Sequence, residues 1–174
     1  AQLMQAVRRT DGRLFARFMG RGGTTLVACL FFREKLWFAC VGDSFLYLSR
    51  EGALVRLNAE QDQQHLRYAE AIARGELYPA AANEMEDAAR LSEFMGSGNI
   101  GEMDATRRPL ALQEGDALIL CSDGVGDVLP AEELDTCLAV PDPMQVCAQM
   151  DARIRARALP AQDNYTALVI RCGY

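Results

Sequence analysis

The sequence predicts an α+β domain with mostly antiparallel sheets, and three observations carry that reading. Strand-like segments come in runs, one hairpin after another, and do not alternate with helices as in a doubly wound fold. These segments are short and rich in β-branched and aromatic residues, at 24–32, 35–41, 45–49, 53–57, 117–121 and 164–172. Helical character gathers elsewhere, at the N-terminus, over 60–93 and from 130 to about 160. At 174 residues, half of them hydrophobic, the chain is long enough to bury a core as one domain, 1–174.

Leu3, Met4, Val7, Leu14, Phe15 and Phe18 give a helical spacing over 1–18, with an interruption near Gly12. Asp11-Gly12 reads as a helix break or surface turn, because glycine commonly ends helices. GRGG then stops the helix. TTLVACLFF and KLWFACV are parted only by Arg33-Glu34 and predict a buried hairpin; FLYLS and ALVRL predict a second around Arg50-Glu51-Gly52. Residues 60–93 are Ala-rich and charged, and Gly75 and Pro79 split them into two helices. GSGNIGEMDATRRP, at 96–109, reads as loop, and the strand 117–121 follows. Pro130 with Glu132 and Glu133 starts a short helix, as the helix dipole favours. Asp142 caps the next, whose stripe of Val146, Cys147, Met150 and Ile154 faces the core; it stops near Pro160, before the last strand.

Composition narrows the function. A net charge of −6 argues against a nucleic-acid partner. The densest basic run, Arg153, Arg155 and Arg157, spreads around its helix and makes no stripe. The six cysteines form no C-x-x-C pair, and with His65 as the one histidine a zinc site is not expected. They read as buried reduced thiols, which points to the cytoplasm. No apolar run approaches the roughly 20 residues of a membrane span, and AQLMQAVRRTDGR has no signal-peptide pattern.

The candidate chemistry lies where strands meet turns. LILCSDGVGD, at 118–127, is an apolar run that stops at Asp123, with Gly124 and Gly126 freeing the backbone behind it. Asp43, in CVGDS, follows the strand 35–41, and Asp163, in AQDN, precedes the last strand. Each acid alone is equally an ordinary turn residue. If the strand ends share a rim, the three carboxylates repel one another unless a hard divalent cation joins them. Mg²⁺, which keeps several waters and needs few carboxylates, or Mn²⁺ fits that description.

Four segments in order, GGTTLVACLFF, LWFACVGDSFLYL, LILCSDGVGDVLPAEEL and QDNYTALVI, closely resemble the metal-dependent serine/threonine protein phosphatases of type 2C, the bacterial branch most of all. ARGELYPAAANE and LSEFMG resemble that family's flap helices and the segment after them. The resemblance implies a β-sandwich of mostly antiparallel sheets flanked by helices, with 60–95 as a flap-like helical insertion. It implies that Asp123 and Asp163 are ligands of the catalytic centre and that Asp43, with Asp123, binds a third metal. Gly42 and Gly124 would shape those loops, and Asp127 matches an acidic position on the same rim. The implied reaction is hydrolysis of phosphoserine or phosphothreonine in a protein, the product of a serine/threonine kinase, by a water activated on Mn²⁺ or Mg²⁺.

The resemblance also marks departures. The family's opening pieces, an Arg that grips the phosphate and an Asp-Gly-x-Gly-Gly whose Asp bridges both catalytic metals, have no counterpart here. The chain is therefore expected to be a C-terminal portion lacking the first strands. Alone it would be impaired, with open strand edges suited to self-association or to pairing with the missing segment. Phe45 stands where the family has Arg after Gly-Asp-Ser, a replacement suited to a buried strand. The competing reading is a non-catalytic pseudophosphatase that binds a phosphoprotein or kinase. A third is a phosphatase acting on small phosphomonoesters.

Overall fold

The computed structural model describes residues 2–59 and 93–173. The helices expected between 60 and 92, most of the flap-like insertion and His65 lie outside the described residues. The chain divides into two compact units: Ala1–Ala28, Phe38–Asp43 and Ala59–Ala105 in the first; Cys29–Trp37, Ser44–Asn58 and Thr106–Tyr174 in the second.

In the first unit, helix α1 (Gln2–Phe18) runs unbroken through Gly12, so the break expected at Asp11-Gly12 does not occur. The reason is tertiary. Asp11 is only 2% exposed, and its Oδ1 accepts the backbone N–H groups of Gly96 (2.7 Å) and Gly98 (3.2 Å). A carboxylate satisfied in this way is tolerated inside a helix. Arg8, one turn earlier, donates from Nη1 to the Ile100 carbonyl at 2.6 Å. Thr24 and Met95 exchange both backbone hydrogen bonds, and the Glu93 carboxylate accepts from Gly101 and Glu102. Residues 93–102 are thus fastened to α1 and to the chain just after it. Val7, Ala39, Val41, Met95 and Ile100 form the buried core of this unit.

The first sheet has the order β1 (Leu26–Phe31), β2 (Lys35–Val41), β5 (Asp104–Ala105). Phe32 N–H donates to the Lys35 carbonyl across the first turn, where Arg33 takes a φ of +54°. In the first unit β2 pairs antiparallel with β5, Ala39 opposite Ala105. In the second it pairs with β6 (Leu110–Ala111), Lys35 opposite Ala111. The stretch 96–109 is therefore not wholly loop: β5 lies within it and β6 follows directly. Two-residue strands have too little alternation to be seen in a sequence.

The second sheet has the order β4 (Ala53–Arg56), β3 (Phe45–Arg50), β7 (Ala117–Cys121), β8 (Ala167–Arg171), antiparallel throughout. β3 and β4 form the expected hairpin, Arg50 paired with Ala53. Its central residues, Glu51 and Gly52, both have positive φ, which suits the twist of the flanking strands. Helix α3 (Ala131–Leu138) starts after Pro130 as expected. Helix α4 (Pro143–Ala156) is capped by Asp142, which accepts from Met144 N–H at 3.0 Å. Leu134, Cys137 and Leu138 of α3 and Val146, Met150 and Ile154 of α4 share one buried core with Phe45, Tyr47, Ile119 and Val169 of the sheet. Burying side chains of this size stabilises by about 1.5–3 kcal/mol each before entropy is subtracted. Of the basic run on α4 and its C-cap, Arg153 and Arg157 converge on Glu133, and Arg155 alone turns to Asp151.

All six cysteines are free thiols. Among the described residues, no helix is long and apolar enough to cross a membrane.

Two buried acids generate predictions. Asp11→Ala leaves two N–H groups without their charged acceptor, a cost of about 1–3 kcal/mol, and urea unfolding should show a lowered midpoint. Asp11→Asn, which keeps Oδ1, should lose less. Asp116 is 1% exposed and accepts a forked pair from Arg50 Nε (2.9 Å) and Nη2 (2.7 Å). The Arg50 hydrogen bond, aided by Gln113 N–H and opposed by burial, holds its carboxyl below the usual carboxylate range. The unfolded chain therefore takes up this proton first as pH falls. The stability Asp116 contributes is complete above the ordinary pKa of about 4 and fades as pH drops through the lower folded value. Urea midpoints compared between pH 7 and pH 3 should converge for wild type and Asp116→Asn at the acidic end.

A carboxylate-lined cleft at the ends of β7 and β8

The antiparallel register of the second sheet places Phe45, Cys121 and Ala167 in one row. β7 therefore ends where β8 begins, and the segments after Cys121 and before Ala167 leave the sheet at one rim. Ser122 extends the pairing past the last strand residue. Its N–H donates to the Thr166 carbonyl, and its Oγ accepts from Thr166 N–H, both at 3.1 Å. A side chain thus replaces a ladder bond, which is why the last strand starts at Ala167 and not at Asn164.

Asp123 opens one helical turn, α2 (Asp123–Gly126), closed by Val125 and Gly126 N–H donating to the Ser122 carbonyl. Gly124 is buried, and a Cβ there would stand 2.8 Å from the Asn164 carbonyl oxygen and 3.2 Å from Tyr165 Cβ. Only glycine lets the chain before β8 pass so closely. Gln162 Nε2 donates across the same gap to the carbonyls of Gly124 (3.1 Å) and Asp163 (3.0 Å).

The outcome is a cleft of about 180 Å³ whose lining includes Asp123, Asp127, Gln162 and Asp163, with Val128 and Leu159 as apolar walls. Gly124 N–H holds Oδ1 of Asp123 at 2.8 Å, and Asn164 N–H holds Oδ1 of Asp163 at 2.7 Å. Each carboxylate is oriented by the residue after it and keeps a second oxygen for a ligand. No basic side chain stands among the described lining residues. Carboxylates that are half-buried (Asp123) or exposed (Asp127, Asp163), without thiol or imidazole, suit a hard cation that retains water, Mg²⁺ or Mn²⁺, and do not suit zinc. Among the described residues, no group of three or more acidic, Cys or His side chains is drawn tightly enough to enclose an ion. The cleft gathers Asp123, Asp127 and Asp163 along its lining without closing them around a point.

Asp43 and Gly42 belong to the first unit. Gly42 has a φ of +98°, and a Cβ on it would stand 2.6 Å from Thr25 Cγ2, so the turn that delivers half-buried Asp43 requires glycine. Phe45 is buried as its strand position suggests. Its ring stacks on Tyr47 at 5.8 Å, and the Arg56 guanidinium lies 4.0 Å from its centre. Burial pushes the Cys121 thiol up to about 12, with Arg56 opposing and the charges of Asp127 and Asp123 adding to the rise. The sequence offered no signal for Gln162 or Ser122, whose roles depend on partners about forty residues away.

The fold is that of the type 2C serine/threonine phosphatases. Over its whole length the chain superposes on the serine/threonine phosphatase PstP/Ppp of Mycobacterium tuberculosis with a TM-score of 0.81 at 24% identity, covering 72% of that chain. It superposes with a TM-score of 0.75 at 26% identity on the catalytic domain of PstP in complex with two manganese ions, covering 97% of this chain and 69% of that one. In sequence it is 26% identical over 180 residues to probable protein phosphatase 2C 9 of Arabidopsis thaliana, covering 97% of this chain and 63% of that protein. It is 27% identical over 149 residues to the serine/threonine phosphatase stp of Listeria welshimeri, covering 85% and 56%. No family model matches the chain. Its homologues and structural neighbours are thus serine/threonine phosphatases of type 2C, bacterial ones among them, and it spans about 63% and 56% of the length of these two relatives.

Gly124→Ala should force the Asn164–Tyr165 backbone away from α2. We expect a loss of about 1–3 kcal/mol, the usual range for overpacking, measured by thermal unfolding. An unchanged midpoint would show that the two segments part without cost.

Proposed function

We propose that the protein is a Mn²⁺- or Mg²⁺-dependent phosphatase acting on phosphoserine and phosphothreonine in proteins, the products of serine/threonine kinases. The observation that carries this reading is the meeting of Asp123 and Asp163 in one cleft, each oriented by a backbone N–H, at the ends of neighbouring strands. Asp123 and Asp163 would hold the ion, and Asp127 is a further oxygen donor in the same lining. When bound, the ion supplies an activated water and neutralises phosphoryl charge. The chain's residues bind and orient it, and none need attack phosphorus. A two-ion centre asks for more carboxylates than this cleft contributes, so low turnover by the chain alone is part of the proposal. Six free thiols fit a reducing compartment such as the cytoplasm.

The test is hydrolysis of a phosphothreonine peptide with and without Mn²⁺. Turnover that depends on Mn²⁺, is removed by a chelator and falls to background in Asp123→Asn and in Asp163→Asn supports the reading. Metal-independent turnover, or turnover that survives both substitutions, overturns it.

A further inference from the structure

Three features govern how the segment before β8 lies beside α2, and they act differently. The Ser122–Thr166 pair only continues the sheet, and ends three residues short of Asp163. The Gly124–Asn164 contact sets how close the segments come and cannot hold them together. Gln162 is the attractive element. Its amide spends one donor on Gly124, 38 residues away, and the other on the carbonyl of Asp163. Both partners can only accept, so the amide orientation follows from its surroundings. Its Oε1 is buried with no hydrogen-bond partner among the described residues. A buried amide oxygen left unpaired is unfavourable, so the side chain is held here by what its nitrogen does.

We propose that Gln162 is a positioning residue: by tying the carbonyls of Gly124 and Asp163 it sets the separation of Asp123 and Asp163, and hence the affinity of the cleft for a divalent cation. This rests on the metal-site reading above.

The experiment is Mn²⁺ titration of the full chain, read by the electron paramagnetic resonance signal of free Mn²⁺, with thermal unfolding of each variant in parallel. Loss of both hydrogen bonds in Gln162→Ala should weaken Mn²⁺ binding about tenfold while the chain stays folded. Gln162→Glu is the sharper variant. It keeps the shape but sets a carboxylate against two carbonyls, and adds negative charge to an acidic cleft. Charge alone would tighten cation binding; the positioning role requires it to weaken, by at least as much as in Gln162→Ala. A glutamate variant that binds as tightly as wild type or tighter, or an alanine variant with unchanged affinity, overturns the role of Gln162 and leaves the metal site standing. A folded wild-type chain that takes up no Mn²⁺ overturns both.

Discussion

The pairing of β7 with β8, from Ala117 opposite Arg171 to Cys121 opposite Ala167, is the constraint on which the cleft depends. Antiparallel strands in this register end and begin at the same level, so two segments far apart in sequence emerge side by side. The register is held from behind: Ile119 faces Tyr47 on one side and Val169 on the other, all three in the core that α3 and α4 cover. A slip of one residue would turn every apolar side chain to the wrong face. The carboxylates are therefore positioned by hydrophobic burial several residues away from them.

Beyond the last ladder bond, position passes from burial to polar contacts. Ser122 supplies a side-chain acceptor where backbone pairing stops, Gly124 makes room, and Gln162 bridges. Asp123 and Asp163 each spend Oδ1 on the following N–H, which restricts rotation of the carboxylate. With three acids and no basic residue among its described lining, the cleft favours a cation. The first unit uses a similar device for support: buried Asp11 accepts the Gly96 and Gly98 N–H groups on Oδ1 and so fastens that turn to α1.

Much of this was legible in one dimension because it is local. The apolar runs of β2, β3 and β7, the cap at Asp142, the acidic first turn of α3 and the core stripe of α4 follow from neighbours within a few residues. Asp43, Asp123 and Asp163 stood out as acids beside turns, and Asp127 through the family resemblance; Asp123, Asp127 and Asp163 line one cleft, while Asp43 belongs to the first unit. Asp11-Gly12 misled because its turn signal is genuine locally and is overridden by Gly96 and Gly98, some 85 residues on. β5 and β6 escaped notice because each is two residues long and exists only as a partner of β2.

The sequence by itself determined the type of each longer described element and the candidate carboxylates, since hydrophobic period and turn chemistry act over a single turn or strand. Only the tertiary structure decided that Asp123 meets Asp163, that Asp11 is a fastening and not a turn, and that Gln162 spans the gap. Those outcomes depend on strand register and on hydrogen bonds closed between distant segments, and neither leaves a periodic trace along the chain.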